Sequence, residues 1–372
     1  METVEKKNSP ERLDPASPRL RLAVPAVLAI AAALFALRPG ASGRALAAPA
    51  PPSPHPPLTR RVVLVVLDAW RRADALDATR MPTVARLARG GVLGPMETGV
   101  RTFTKPCFAE MLTGGGSTLR DSLLNLARNP APAESIFGRA RAGGAGMRLI
   151  DATSDFVDLF SREIPTDAIV RVDPGAPSPD PDDVFNDQGI ESAVLEALAR
   201  PSLRLVAAHL QSVDHAGHLF GAAGPRYAAA VASADRRVGR IAARMDLANE
   251  TLVLVGDHGA DLSGHHGGPE SAARETAYLA AGSGIRARPA GLLPSTAIAG
   301  LVTGLLGDCP PSAAPPGGAD ALLALNDTAR VRTASICPCR SGAPARSRPG
   351  LAAAGAALVL AGIAGSSAPR PR

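Results

Sequence analysis

Three short stretches of the sequence gather residue types that bind metals. In GDHGADLSGHHGG (256–268), Asp257, His258 and His266 fall within ten positions, directly after the apolar run Thr251–Val255. In SVDHAGH (212–218), Asp214 and His218 follow the apolar run Leu205–Leu210, and Asp68 ends a third run, Val62–Leu67. A few imidazole nitrogens and carboxylate oxygens with one position left open make a catalytic zinc site, with bonds of about 2.0–2.2 Å. The residues divide into Asp214, His218 and His266 on one side and Asp68, Asp257 and His258 on the other. Two such ions, about 3.5–4 Å apart, stabilise both the attacking and the leaving oxygen of an in-line displacement. Manganese or iron could replace zinc at one position, because the ligand types alone do not select the metal. A lone Asp after a strand is usually a helix cap and a lone His is usually surface or core, but six such residues at three strand ends go beyond that explanation. His55, His209, His215 and His265 read as structural or exposed, with His265 the alternative to His266.

A displacement of this kind needs a nucleophile, and Thr104 in RTFTKPCFAEMLTGG (101–115) is the candidate. It opens a predicted helix, Thr104–Leu112, so its oxygen meets the positive end of the helix dipole, where amide groups can hold an anion. Metal coordination would favour its alkoxide, otherwise scarce near neutral pH. A plain capping threonine is the simpler reading. Thr102 and Ser117 are poorer candidates because neither opens the helix. Arg71 and Lys105 are candidate contacts to a substrate phosphate or a neighbouring carboxylate, the alternative being a solvated surface charge.

These residues can meet only if the apolar runs are neighbouring strands that end at one edge of an open sheet. Strands are expected at Val62–Leu67, Gly146–Ile150 (ending at Asp151), Leu205–Leu210, Thr251–Val255 and Ala277–Ala281. Helices are expected at Met81–Arg89, Thr104–Leu112, Val184–Ala199 and Tyr227–Met245, and a solvated loop at Asp173–Asp183. Alternating strands and helices predict an α/β fold, a three-layer αβα sandwich with a mostly parallel central sheet. A hydrophobic content of 46% is ample for its core, and with only 3% aromatics Ala, Leu and Val must fill it.

The net charge of +6 sits at the ends. Residues 1–58 carry seven Lys/Arg and four Asp/Glu, and residues 334–372 carry five Arg and no acid, so residues 59–333 are left at −2. That balance argues against a nucleic-acid partner. Residues 1–38, with Lys6, Lys7, Arg12, Arg19 and Arg21 ahead of the apolar Leu22–Leu37, read as a signal peptide or signal anchor. The expected order continues with a Pro/Ala-rich linker (39–58), a catalytic domain (59–333) and a low-complexity tail (334–372), in which Leu351–Gly365 could be a second membrane anchor. The protein is therefore expected to be exported, periplasmic or membrane-anchored outside the cytoplasm. Of the four cysteines, Cys309 could pair with Cys337 or Cys339, and Cys107 is expected to stay free.

The motifs DAWRRAD (68–74), MPTVARLARGGV (81–92), TFTKPCFAEMLTG (102–114), VDHAGH (213–218) and GDHGADLSGHHGG (256–268) resemble the alkaline phosphatase superfamily. Within it they resemble the type I phosphodiesterase/nucleotide pyrophosphatase and GPI ethanolamine phosphate transferase branches, over about Arg61–Ala281. The resemblance implies an alkaline phosphatase-like fold and two zinc ions. It gives Asp214, His218 and His266 to one ion and Asp68, Thr104, Asp257 and His258 to the other, with Thr104 forming a covalent phosphothreonine. It implies a phosphate-ester substrate, which could be lipid-linked. DHxGH and the closely spaced GHHGG favour the transferase-like branch, and LIDATSDFVDLF (149–160) resembles that branch's GDDTW segment without the Trp. Lys105 stands where relatives carry an apolar residue and Cys107 where they carry Asn or Arg, so a diverged substrate pocket is expected.

Hydrolysis by a phosphodiesterase or phosphatase leads, and a phosphoethanolamine-type transferase at the membrane is the alternative. A sulfatase is disfavoured, because Thr104 and Phe108 occupy the first and last positions of the C/S-x-P-x-R frame. A catalytically silent metal-binding envelope protein would be expected to have lost a ligand or Thr104, and the chain keeps all of them.

Overall fold

The structure is a computed structural model, and it describes residues 55–116, 131, 133–287, 290–315, 322–324 and 337. Strand β1 (Arg61–Leu67) is buried along its whole length. Val62, Leu64 and Val66 enter one core while Val63, Val65 and Leu67 enter a second. A strand apolar on both faces needs a helical layer on each side.

The other strands are β2 (Gly91–Glu97), β3 (Gly146–Asp151), β4 (Ile169–Arg171), β5 (Leu203–Leu210), β6 (Glu250–Gly256), β7 (Glu275–Gly282) and β8 (Leu293–Pro294). They form one sheet in the order β4-β3-β5-β1-β6-β7-β2-β8. β7 runs antiparallel to both neighbours, β6 and β2, and the remaining pairs are parallel. The mostly parallel αβα sandwich expected from the sequence is therefore present. Its strand at 277–281 is the exception to the parallel arrangement, and β2, β4 and β8 join strands the sequence pattern identifies.

The helices are α1 (Arg72–Ala75), α2 (Pro82–Ala88), α3 (Thr104–Thr113), α4 (Ile136–Ala142), α5 (Asp155–Phe160), α6 (Asp187–Leu198), α7 (Ser212–Phe220), α8 (Pro225–Ala243), α9 (Ser271–Arg274) and α10 (Ala297–Leu306). Helices α3, α4, α5 and α10 bury their apolar faces in the first core. Helices α2, α6, α7 and α8 do so in the second. The helix expected from Val184 starts later, at Asp187, because Asn186 takes a left-handed conformation (φ 52°) and its side chain accepts from the Gly189 amide. An Asn side chain capping the first turn is a standard helix start.

Cys309 is disulfide-bonded to Cys337, and Cys107 is free and buried. Among the described residues no helix is long and apolar enough to cross a membrane. The segments Leu22–Leu37 and Leu351–Gly365, Ser117 and Cys339 lie outside the described residues.

Candidate active site

Strand register builds the site. Leu67 pairs with Leu210 on one side and with Gly256 on the other, so the next residues, Asp68, Gln211 and Asp257, leave three adjacent parallel strands at one level. The backbone turns sharply at once: Ala69 is a non-glycine residue with φ 52°, a conformation that persists only where the surroundings enforce it. Its amide donates to Asp257 Oδ1 at 3.2 Å, and the His258 amide donates to the same oxygen at 2.9 Å. That leaves Asp257 Oδ2 facing the strand ends. Asp214 enters from the first turn of α7 rather than from a strand end.

The ligand-type atoms of Asp68, Asp257 and His258 lie within 4.8 Å of one another, and so do those of Asp214, His258 and His266. His258 therefore stands between the two sets, and its ring stacks on that of His266 at 4.0 Å. His218 joins from α7, with Nε2 2.9 Å from His266 Nε2 and 3.4 Å from Asp214 Oδ2, its side chain 45% exposed. Six of the expected ligands thus come together at one edge of the sheet. His265 is exposed, beside Asp261, whereas His266 faces Asp214 at 3.2 Å.

The two buried imidazoles are oriented from behind. His258 Nδ1 donates to the Gly259 carbonyl at 2.9 Å and His266 Nδ1 to the Thr102 carbonyl at 2.7 Å. Each Nε2 then faces the cluster, the tautomer and orientation that metal-binding histidines take. The loop that presents His266 depends on glycine. At Gly264 (φ 82°) a Cβ would meet the Gly217 carbonyl oxygen at 2.1 Å, and at Gly267 (φ 112°) it would meet the Phe103 ring at 2.6 Å.

Electrostatically this cluster calls for cations. Asp68, Asp214 and Asp257 are buried together. Asp68 Oδ1, Asp214 Oδ1, Asp257 Oδ2 and His258 Nε2 are buried and make no hydrogen bond, an expensive state unless something binds them. Burial, then the charges of Asp257 and Asp214, push the Asp68 carboxyl well up. Burial lowers the pKa of His258. Burial opposes charge on His266, but the Asp214 carboxylate 3.2 Å away overcomes it and raises its pKa to about 9. Oxygen and imidazole donors in two overlapping sets fit divalent cations.

Thr104 is the first residue of α3, and its N-cap, Phe103, makes no side-chain cap. Two residues earlier, Thr102 is locked to the histidine loop. Its carbonyl accepts from His266, its hydroxyl donates to the Gly268 carbonyl at 2.9 Å, and the Gly267 amide donates to that hydroxyl at 2.6 Å. The start of α3 is thereby held beside His266. Arg71 donates to the Ala260 and Ala222 carbonyls and pairs with Asp74. Lys105 pairs with Asp158 at 2.9 Å and Asp155 at 3.6 Å. Both cations bind the protein's own groups.

Sequence reasoning passed over His209. Its ring is fully buried, with Nε2 donating to Asp68 Oδ2 at 3.0 Å and Nδ1 3.5 Å from Asp151 Oδ1. Burial disfavours its charge, yet the hydrogen bonds and charges of Asp151 and Asp68 raise its pKa well above the usual histidine value. The available signal was a single imidazole near the end of the otherwise apolar β5.

Residues 160–281 match the type I phosphodiesterase / nucleotide pyrophosphatase family. The mouse GPI ethanolamine phosphate transferase 3 catalytic subunit is 35% identical over 83 residues, which are 22% of this chain and 7% of that protein's length. Among solved structures, a Vibrio parahaemolyticus protein in the alkaline phosphatase superfamily aligns over 69% of each chain, at 14% identity and a TM-score of 0.51. Murine ectonucleotide pyrophosphatase / phosphodiesterase 5 aligns over 69% of this chain and 96% of its own, at 13% identity and a TM-score of 0.50. In fold the chain is therefore similar to a protein of the alkaline phosphatase superfamily, and its residues 160–281 match the type I phosphodiesterase / nucleotide pyrophosphatase family.

Proposed function

We propose that the protein is an exported, metal-dependent phosphohydrolase, a phosphodiesterase or phosphatase, that works through a covalent phosphothreonine at Thr104. One observation carries this reading: Asp68 Oδ1, Asp214 Oδ1, Asp257 Oδ2 and His258 Nε2 are buried without hydrogen-bond partners, within two overlapping ligand sets. Asp214, His218 and His266 would hold one ion and Asp68, Thr104, Asp257 and His258 the other, with His258 near both. We assign zinc to both positions, with manganese or iron the alternative at one. Two bound cations would supply Lewis acidity at phosphorus and favour the Thr104 alkoxide.

The chain's own groups set out the reaction. Thr104 Oγ1 attacks phosphorus, the new P–O bond forms as the ester P–O bond breaks, and the alcohol leaves with a proton. Water then attacks the phosphothreonine, the Thr104–phosphorus bond breaks, and one proton of the water passes to Thr104 Oγ1 while the phosphate keeps the remaining hydroxyl. Two in-line inversions predict retention of configuration at phosphorus. The first amides of α3 lack acceptors within their own helix, which suits them to an anionic phosphoryl group.

Export is supported by the Cys309–Cys337 disulfide, a bond that persists in oxidising compartments, and by the basic residues ahead of Leu22–Leu37. A second reading, transfer of a phosphoethanolamine-type group to an alcohol, is favoured by the likeness to the GPI ethanolamine phosphate transferase. A lipid-linked substrate belongs to that reading.

The test compares a nitrophenyl phosphate monoester with the corresponding diester, on chelator-stripped and zinc-reconstituted protein. Zinc-dependent turnover is expected, and Thr104→Ala should fall to background with metal content near wild type. Undiminished turnover by Thr104→Ala removes Thr104 from the mechanism. Product formed on an added alcohol at the expense of water selects transfer over hydrolysis.

A further inference from the structure

We infer that His209 is a positioning residue, fixing Asp68 for metal binding and coupling that carboxylate to the helix that begins with Thr104. The inference rests on the metal reading above and adds a residue that the ligand sets do not contain. His209 lies on β5, paired with Val66 of β1, two positions before Asp68. Neither ring nitrogen bonds a backbone carbonyl: one donates to Asp68 Oδ2 at 3.0 Å and the other points at Asp151 Oδ1 at 3.5 Å. A histidine kept only to fill the core needs no pair of carboxylates around it.

The bond to Oδ2 decides which oxygen Asp68 presents. With Oδ2 held by His209, Asp68 Oδ1 is left facing His258 Nε2 at 3.4 Å, and both of those atoms lack hydrogen bonds. The ring is in turn held edge-on by Phe108 at 4.8 Å and Phe156 at 5.8 Å, which stack on each other at 4.5 Å. Phe108 lies on α3, four residues after Thr104, and Phe156 on α5. Asp151 Oδ2 accepts from the Phe156 amide, and α5 supplies Asp155 and Asp158 to Lys105, next to Thr104. One ring thus spans the metal cradle and the packing of the nucleophile helix. A carboxylate that ligates a metal is usually held by such an outer partner, whose loss weakens metal affinity about 10–100-fold.

The experiment is a chelator-competition titration of the full chain with zinc at one fixed pH, alongside melting of the metal-free proteins. His209→Leu removes both contacts, while His209→Gln keeps a donor placed like Nε2. The wild type is expected to take up two ions. His209→Leu should bind one ion as the wild type does and the other about 10–100-fold more weakly, and His209→Gln should recover most of that loss. Metal-free melting temperatures that match between the two variants would assign the difference to the donor rather than to packing. If His209→Leu does not fold, His209→Asn, which places its donor toward Asp151 instead of Asp68, is expected to show the weakened site. Two wild-type affinities in His209→Leu overturn this inference alone, as does equal weakening in His209→Leu and His209→Gln. A wild-type chain that takes up no metal overturns the metal reading and this inference with it.

Discussion

At the scale of single residues, the chemistry is set by how each side chain's two polar atoms are divided. Asp257 gives Oδ1 to the amides of Ala69 and His258 and keeps Oδ2 buried without a partner. Asn at this position can accept the same two amide bonds while removing one of three crowded carboxyl groups. Replacing a buried charge that lacks its counter-ion often stabilises a fold, so metal-free Asp257→Asn should be more stable than wild type by on the order of 1 kcal/mol. On the proposed metal assignment zinc should reverse the order, because a ligand stabilises the native state more the tighter it binds, and the variant would lack an anionic ligand. Calorimetric melting with and without zinc reads both halves. A metal-free variant that melts well below wild type would show that the carboxylates do not repel as argued. Asp257 was legible in the sequence because its neighbour in space, His258, is also its neighbour in the chain. His209 was not, because Asp68 and Asp151 lie far from it in sequence and only the registers of β5 with β1 and with β3 bring them together.

At the scale of elements, β1 and β6 were legible as unbroken apolar runs and β5 as one interrupted near its end by His209, each of a length that fits a strand buried on both faces. β2 was not, since its sequence GVLGPME contains two glycines and a proline, residues that ordinarily weaken a strand pattern. The structure supplies the reason for one of them: a Cβ on Gly91 would meet the Ala280 carbonyl oxygen of β7 at 2.2 Å. The antiparallel direction of β7 leaves no trace in periodicity, which is the same for either orientation.

The start of α7, which carries Asp214 and His218, hangs on a different carboxylate. Asp187, at the head of α6, accepts from the Gln211 amide at 2.7 Å and the Ser212 amide at 3.1 Å. Burial raises its pKa from 3.8 to about 6, against the pull of those amides. Between these two values the native state keeps a proton that the unfolded chain has released. This group therefore favours folding most at the acid side, and its contribution is lost as pH rises from about 4 through about 6. In urea titrations, the stability of wild type relative to Asp187→Asn should fall by about 2–3 kcal/mol over that interval. A difference that stays flat with pH would mean that Asp187 is ionised throughout.

At the scale of the whole molecule, chemistry and fastening sit at opposite ends of the strands. The cradle lies beyond the carboxyl ends of β1, β5 and β6, at Asp68, Asp214 and Asp257. The end of α10 lies at the other edge: the Leu58 amide, ahead of β1, donates to the Leu305 carbonyl, and Gly307 packs against Pro57. Cys309 follows two residues later, its carbonyl held by Arg139 of α4, and its disulfide closes a span of 28 residues to Cys337. A crosslink of that span restricts the unfolded chain and typically adds about 2–4 kcal/mol. Cys337→Ser, or mild reduction of the wild type, should lower stability by about that amount while zinc affinity and KM stay at wild-type values. The two readouts separate because the bond acts on the unfolded ensemble and touches no residue of the cradle. If reduction also weakens zinc binding, the far edge of the sheet must reach the site through β1, the strand that joins the Leu58 end to Asp68.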